Sequence, residues 1–255
     1  FMGDFSAAFN KMTEQLKDSF LKLEKLNATK DKFFSIIAHD LKNPFTGLLG
    51  LSEFLRENAR NLAVEEISEI AGQIYESSSK AFKLLENLLN WSRAQTGQID
   101  YYPIVFRIND LIDETIELLQ PQAQNTNIHL VKDVCEDLYC VADKNMISAV
   151  IRNLATNALK FTRVGGRIDI IGKKNNELIE ITVKDNGIGL SEKDMLKLFR
   201  IDVKNTEIGA SSTGKGTGLG LILCKEFIEK NNGRIYADGA PDKGCAFTFT
   251  IPAAQ

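Results

Sequence analysis

The 255 residues carry 31 Lys and Arg against 34 Asp and Glu, a formal net charge of -3. That length accommodates two domains, and the near balance of charge argues against a nucleic-acid partner, which needs a strongly basic face. No window approaches the roughly 18 continuous apolar residues of a membrane span, and no basic-then-apolar leader is visible, so this stretch is expected to make no membrane contact. Cys135, Cys140, Cys224 and Cys245 fit no zinc spacing, and His39 and His129 are too few for a His-rich metal centre. The cysteines are expected to be reduced and mostly structural.

In chain order, residues 9 to 37 predict one long helix. Met12, Leu16, Ser19, Leu23, Leu26, Lys30, Phe33 and Ile37 recur at alternating steps of four and three, a heptad seam interrupted at Ser19 and Lys30. Such a seam needs a partner, and parallel self-association supplies one; packing within the chain is the plainer alternative. The helix is expected to run on through Pro44, bending there, and to break over 58–64. A second helix over about 65–95 would close an antiparallel hairpin, two of which make a four-helix bundle. Residues 98–106 read as a linker. Beyond it, a helix over 109–120 stopped near Pro121, a strand over 127–132 and a helix over 144–161 are predicted. Strands over 167–172 and 178–184, a helix over 218–231 stopped at Asn232-Gly233, and strands over 234–238 and 245–251 follow. The sum is an α+β chain: a helical hairpin, then an α/β sandwich with helices on one face of a mostly antiparallel sheet.

Three features of the second half bear on ligand binding. In RNLATNALKF, Asn153, Asn157 and Lys160 share one helix face. Amide oxygens can hold Mg²⁺ and a lysine can meet phosphate, although a solvated polar face looks the same. In DNGIGL, Asp185 can accept from an exocyclic amine, and the glycines permit a tight turn and close approach; an ordinary turn fits too. In GKGTGLGL, four glycines at a helix start expose N–H groups to an anion. The motif lacks the P-loop ending and opens no parallel βαβ unit.

In the first half, His39 stands in FSIIAHDLKNP. A histidine in such a run can be a packed or surface residue. A neutral imidazole can also attack a phosphoryl group, with adjacent Asp40 orienting it or taking its proton. Asn43 falls one turn on, on the same face.

Taken together, these segments resemble the sensor histidine kinases. His39 lies in an H-box-like segment, NLLNWSRAQTG is similar to the end of the phosphoacceptor hairpin, and the later motifs resemble the N, G1 and G2 boxes of the histidine kinase, gyrase, Hsp90 and MutL superfamily. LFRID resembles the F box. The resemblance implies a Bergerat-type ATP site. In it Asn157 is the Mg²⁺ ligand, Asn153 supports it and Lys160 meets the phosphates. Asp185 reads the adenine amine, Gly187 and Gly189 shape the pocket, and Gly216, Thr217, Gly218, Leu219 and Gly220 form the phosphate side. The segment 190–217 would be the lid. Arg200 would reach the terminal phosphate, a surface charge being its plainer reading.

Superfamily members that hydrolyse ATP carry a glutamate base where this chain has Asn153, and an amide cannot act as a base. The resemblance therefore implies phosphorylation of His39 from ATP and Mg²⁺, with Asp40 as acid–base partner. Transfer to an aspartate on a response-regulator receiver domain would follow, and Asn43 would place water for dephosphorylating that regulator. It implies a homodimer and a bacterial cytoplasmic location. GDFSAAFNKM is similar to the end of a HAMP relay, which implies an upstream sensor anchored in the inner membrane. The expected organisation is a relay over 1–29, the phosphoacceptor hairpin over 30–97, a linker over 98–106 and the ATP-binding domain over 107–255. Rivals are a topoisomerase- or chaperone-like ATPase and a degenerate kinase acting as phosphatase or scaffold.

Overall fold

The computed structural model describes residues 2–95, 100–134, 137–199 and 219–254. The chain falls into two compact units that part between Phe82 and Lys83.

The first unit is a helical hairpin of two helices, the second only as far as Phe82. Helix α1 spans Met2–Asn58 and α2 spans Val64–Gln95. Ala59 N–H still donates to Leu55 O, and Asn61 N–H closes the turn on Asn58 O. The entry to α2 is capped in reverse: Glu66 Oε2 accepts from Ala63 N–H at 2.8 Å, and Glu65 and Glu66 in the first turn favour the helix dipole. Pro44 lies inside α1. Its missing N–H leaves the Asp40 carbonyl without the usual helical donor, yet the helix continues. A single copy leaves much apolar surface uncovered: Met12, Leu16, Phe20, Phe34, Phe45, Leu49 and Phe54 on α1, and Val64, Tyr75 and Phe82 on α2, are exposed, whereas Ile37 is buried.

The second unit is an α/β sandwich. In order it contains β1 (Pro103–Arg107), α3 (Ile108–Asn125), β2 (His129–Asp133), β3 (Tyr139–Asp143), α4 (Lys144–Phe161), β4 (Arg167–Asn175) and β5 (Leu178–Asp185). After these come α5 (Glu192–Met195), α6 (Leu219–Lys230), β6 (Arg234–Ala240) and β7 (Gly244–Pro252). The main sheet has five strands in the order β2-β4-β5-β7-β6. Its pairs are antiparallel except β2 with β4. Period-two alternation puts Ile168, Ile170, Ile179, Ile181, Val183, Phe247, Phe249 and Ile251 on the buried face. Ile108, Leu111 and Ile112 of α3, Ile147, Ile151 and Leu154 of α4, and Phe227 and Ile228 of α6 are likewise buried. Each such side chain contributes about 1.5–3 kcal/mol when fully buried.

Two local expectations are corrected. Pro121 does not stop α3; it lies within the helix, which runs to Asn125. Leu119 and Ala123 on either side of it are buried, and that packing outweighs one lost hydrogen bond. Second, β1 opens at Pro103, inside the stretch read as linker, and pairs antiparallel with β3. The stretch read as a lid carries the short α5 near its start, capped by Ser191. Helix α6 ends as expected: Asn232 takes a positive φ of 57°, and Gly233 N–H reaches back to Ile228 O at 2.9 Å.

Candidate functional site

His39 stands on α1 with its side chain 66% exposed. Its Nδ1 lies 3.1 Å from Asp40 Oδ1, and the Asp40 side chain is only 12% exposed. In the tautomer protonated at Nδ1, the carboxylate accepts a hydrogen bond from Nδ1–H and the lone pair lies on Nε2. Asn43 is exposed one turn further on. The structure thus brings together the three residues singled out on this helix.

In the second unit, α4 is fixed at its start by Asp143. This buried carboxylate caps the helix through Asn145 and Met146 N–H, and its other oxygen accepts from Tyr102 N–H at 3.1 Å. Asp143 N–H in turn donates to Asn231 Oδ1 at 2.7 Å. Asn231 is fully buried at the end of α6 and donates to Phe227 O at 2.7 Å. These bonds hold the start of α4 against the end of α6.

One helical face of α4 carries the amides. Asn157 Nδ2 donates to Asn153 Oδ1 at 3.2 Å, and Asn153 Nδ2 donates to Cys224 Sγ of α6 at 3.4 Å. The Asn157 carbonyl oxygen is thereby turned away from Asn153. Lys160 lies a turn on, its Nζ 4.9 Å from the Phe161 ring centroid, and burial lowers its pKa below the ordinary lysine value. Gly220 sits against Asn153, with no room between them for a Cβ.

The DNGIG segment closes the end of β5. Asp185 is buried, and its Oδ1 accepts from Gly187 N–H at 2.8 Å and Cys245 N–H at 3.3 Å. Burial pushes its carboxyl above the usual carboxylate range, and the two N–H donors pull it part of the way back. Ile188 N–H donates to Phe161 O at the end of α4, and Asp242 N–H of the β6–β7 turn donates to Ile188 O. Gly187 lies on the same Phe161 carbonyl, and Gly189 takes a positive φ of 66° with Ala240 O where a Cβ would be. The loop is thus tied to α4 on one side and to the β6–β7 hairpin on the other.

Arg200, Gly216, Thr217 and Gly218 lie outside the described residues, as does the Leu219 side chain. Three residues that knit the site together were not singled out as site residues: Asp143, Asn231 and Cys224. A helix cap was the only sequence signal for Asp143, and none existed for the other two.

Two families match separate stretches of the chain. Residues 29–97 match the His Kinase A (phospho-acceptor) domain. Residues 142–255 match the histidine kinase-, DNA gyrase B- and HSP90-like ATPase family. A phosphoacceptor hairpin followed by that ATP-binding fold defines the class: the chain belongs to the sensor histidine kinases of two-component systems. It is 28% identical over 228 residues to the sensor histidine kinase GacS of Pseudomonas protegens, covering 87% of this chain and 24% of GacS. It is 29% identical over 231 residues to the adaptive-response sensory kinase SasA of Rippkaea orientalis, covering 87% of this chain and 57% of SasA. The chain therefore spans less than two thirds of either relative. In fold it is similar to histidine kinase ThkA, solved in complex with the response regulator protein TrrA. That match has a TM-score of 0.65 at 23% identity, covering 87% of this chain and 61% of that one.

Proposed function

We propose that this chain is an autokinase that moves the γ-phosphoryl group of ATP to Nε2 of His39 and then to an aspartate on a response-regulator receiver. The observation that carries the reading is the exposed imidazole whose Nδ1 is held 3.1 Å from Asp40. With the Nδ1 proton directed at the Asp40 carboxylate, the lone pair lies on Nε2, the nucleophile, and Asp40 offsets the charge that develops on the ring.

The second unit fits the nucleotide on its own chemistry. Oδ1 of Asp185 takes both backbone donors, so Oδ2 of a buried carboxylate remains for the adenine amine. The outward oxygen of Asn157 suits a hard cation that keeps most of its ligands from water and phosphate. Asn157 would hold Mg²⁺, which neutralises phosphate charge when bound. Asn153 would support it, and Lys160 would meet the phosphates. Gly187 and Gly189 would shape the adenine pocket. We assign Gly216, Thr217, Gly218, Leu219 and Gly220 to the phosphate side and Arg200 to the terminal phosphate. With water lacking a base at Asn153, phosphoryl transfer proceeds by positioning and charge neutralisation.

We further propose a homodimer, which would cover the apolar residues that a single copy leaves exposed along α1 and α2. TrrA in the ThkA complex supports a receiver-domain partner. None of the described helices is long and apolar enough to cross a membrane; the relay-like segment before residue 30 is the basis for reading the chain as the cytoplasmic portion of a membrane-anchored sensor. Exposed Asn43 beside His39 favours a second activity, dephosphorylation of the regulator.

Incubation with γ-labelled ATP and Mg²⁺ tests the main reading. Wild type should acquire an acid-labile, base-stable label, and His39→Gln should acquire none while binding nucleotide normally. Equal labelling of the two would remove His39 as the acceptor.

A further inference from the structure

The amide pair on α4 does not end at Asn153. A side-chain amide can be turned either way, and its neighbours decide which end faces which partner. Here Asn153 Nδ2 faces Cys224 Sγ at 3.4 Å, and Asn153 Oδ1 therefore faces Asn157 Nδ2 at 3.2 Å. Turning Asn157 so that its nitrogen is occupied sends its oxygen outward. The sulfur is buried. Burial pushes the thiol up to about 12, so it stays protonated and unreactive. Gly220, one turn before Cys224 on α6, leaves the room that the Asn153 amide occupies: a Cβ there would lie 2.3 Å from Nδ2. A hydrogen-bond partner and the absence of a side chain, both on α6, thus set the place of a single amide of α4.

We propose that Cys224 is a positioning residue for the metal ligand. By accepting from Asn153 it turns Asn153 Oδ1 toward Asn157 and so presents the Asn157 oxygen to Mg²⁺. The proposal rests on the reading of Asn157 as the metal ligand. It gives this buried cysteine a role in metal-dependent nucleotide binding that requires neither oxidation nor nucleophilic chemistry.

The test is the gain in affinity that Mg²⁺ confers on a non-hydrolysable ATP analogue, measured by calorimetry on the full chain with Mg²⁺ and with EDTA. Cys224→Ala should lose roughly tenfold of that gain, the usual cost of removing a group that orients a metal ligand. Its affinity in EDTA, which depends on Asp185, should be unchanged, and this doubles as the control for folding. Cys224→Ser, which keeps an acceptor at the same position, should recover most of the gain. Combining Cys224→Ala with Asn153→Ala should cost no more than Asn153→Ala alone, since both act through one amide. A full Mg²⁺ gain in Cys224→Ala overturns the proposal, as does an equal loss with and without the metal. If wild type shows no Mg²⁺ gain, or Asn157→Ala keeps it, the metal assignment of Asn157 fails first, and the role of Cys224 with it.

Discussion

Gly220 in the first turn of α6 lies so close to Asn153 of α4 that an added Cβ would stand 2.3 Å from Nδ2 and 2.8 Å from Oδ1. In the glycine-rich motif this residue would be read as part of a phosphate cradle. In the fold it is also the point where α6, lacking a side chain, makes room for the Asn153 amide of α4. Gly220→Ala should gain about 1 kcal/mol of helix propensity and lose about 1–3 kcal/mol to overpacking. The net effect should be a lower melting temperature and, because Asn153 is displaced, weaker nucleotide binding in Mg²⁺. Calorimetry beside a thermal melt checks both, and a variant as stable and as tight-binding as wild type would contradict the packing described here.

The buried Asn231 sets a second expectation. Its Oδ1 satisfies Asp143 N–H at 2.7 Å, and its Nδ2 satisfies Phe227 O at 2.7 Å. Asn231→Leu would strand a buried donor on the residue that caps α4, at a cost of about 1–3 kcal/mol. Urea denaturation should show that loss in the midpoint, with the slope unchanged. Asp143→Ala, which removes the cap itself, should cost about 1 kcal/mol or more.

These two helices also mark what could be read from the residues alone. Helix α4 was legible to its last residue, because Met146, Ile147, Val150, Ile151, Leu154 and Ala158 repeat at helical spacing. The β4–β5 hairpin and the β6–β7 pair were legible from alternation. The β1–β3 ribbon was not. Pro103 opens one strand, each strand is five residues long, and what defines them is their pairing with each other. Pro121 misled because a local rule, that proline ends helices, was overridden by burial of the residues around it. In the site, the motif residues Asp185, Asn153 and Asn157 were visible because their chemistry is carried by residue type. Asn231 and Cys224 were invisible because their significance arises only when α6 docks on α4, and nothing in a single stretch of sequence encodes that meeting.

Asp40 provides a test of the phosphoacceptor. It is adjacent to His39, largely buried where His39 is exposed, and in hydrogen-bond contact with Nδ1. Asp40→Asn keeps an acceptor of the same shape but loses the charge that stabilises a developing imidazolium. The initial rate of His39 labelling should fall roughly a hundredfold, within the range of general acid–base contributions. Analogue affinity should not change, because Asp185 and Asn157 are untouched. A wild-type rate in the variant would leave Asp40 with a structural role only.

Asp185 should trade stability for binding. Burial holds its carboxyl above the ordinary carboxylate value, against the pull of the Gly187 and Cys245 N–H groups. A carboxyl whose folded value exceeds its unfolded value binds more protons in the folded state. Stability therefore falls as pH rises through the interval between the two values, and the full cost of the buried charge is present above the folded one. Asp185→Asn removes that cost and keeps an oxygen for the two backbone donors. At neutral pH the variant should equal or exceed wild type in urea denaturation, and its advantage should shrink as pH is lowered and vanish well below the ordinary carboxylate value of about 3.9, where the wild-type carboxyl is neutral in both states. Its affinity for adenine nucleotide should fall by roughly tenfold to a hundredfold, because an amide nitrogen would then face the adenine amine, donor against donor. A variant that is less stable at neutral pH yet binds as tightly as wild type would show that the carboxylate serves the loop and not the ligand.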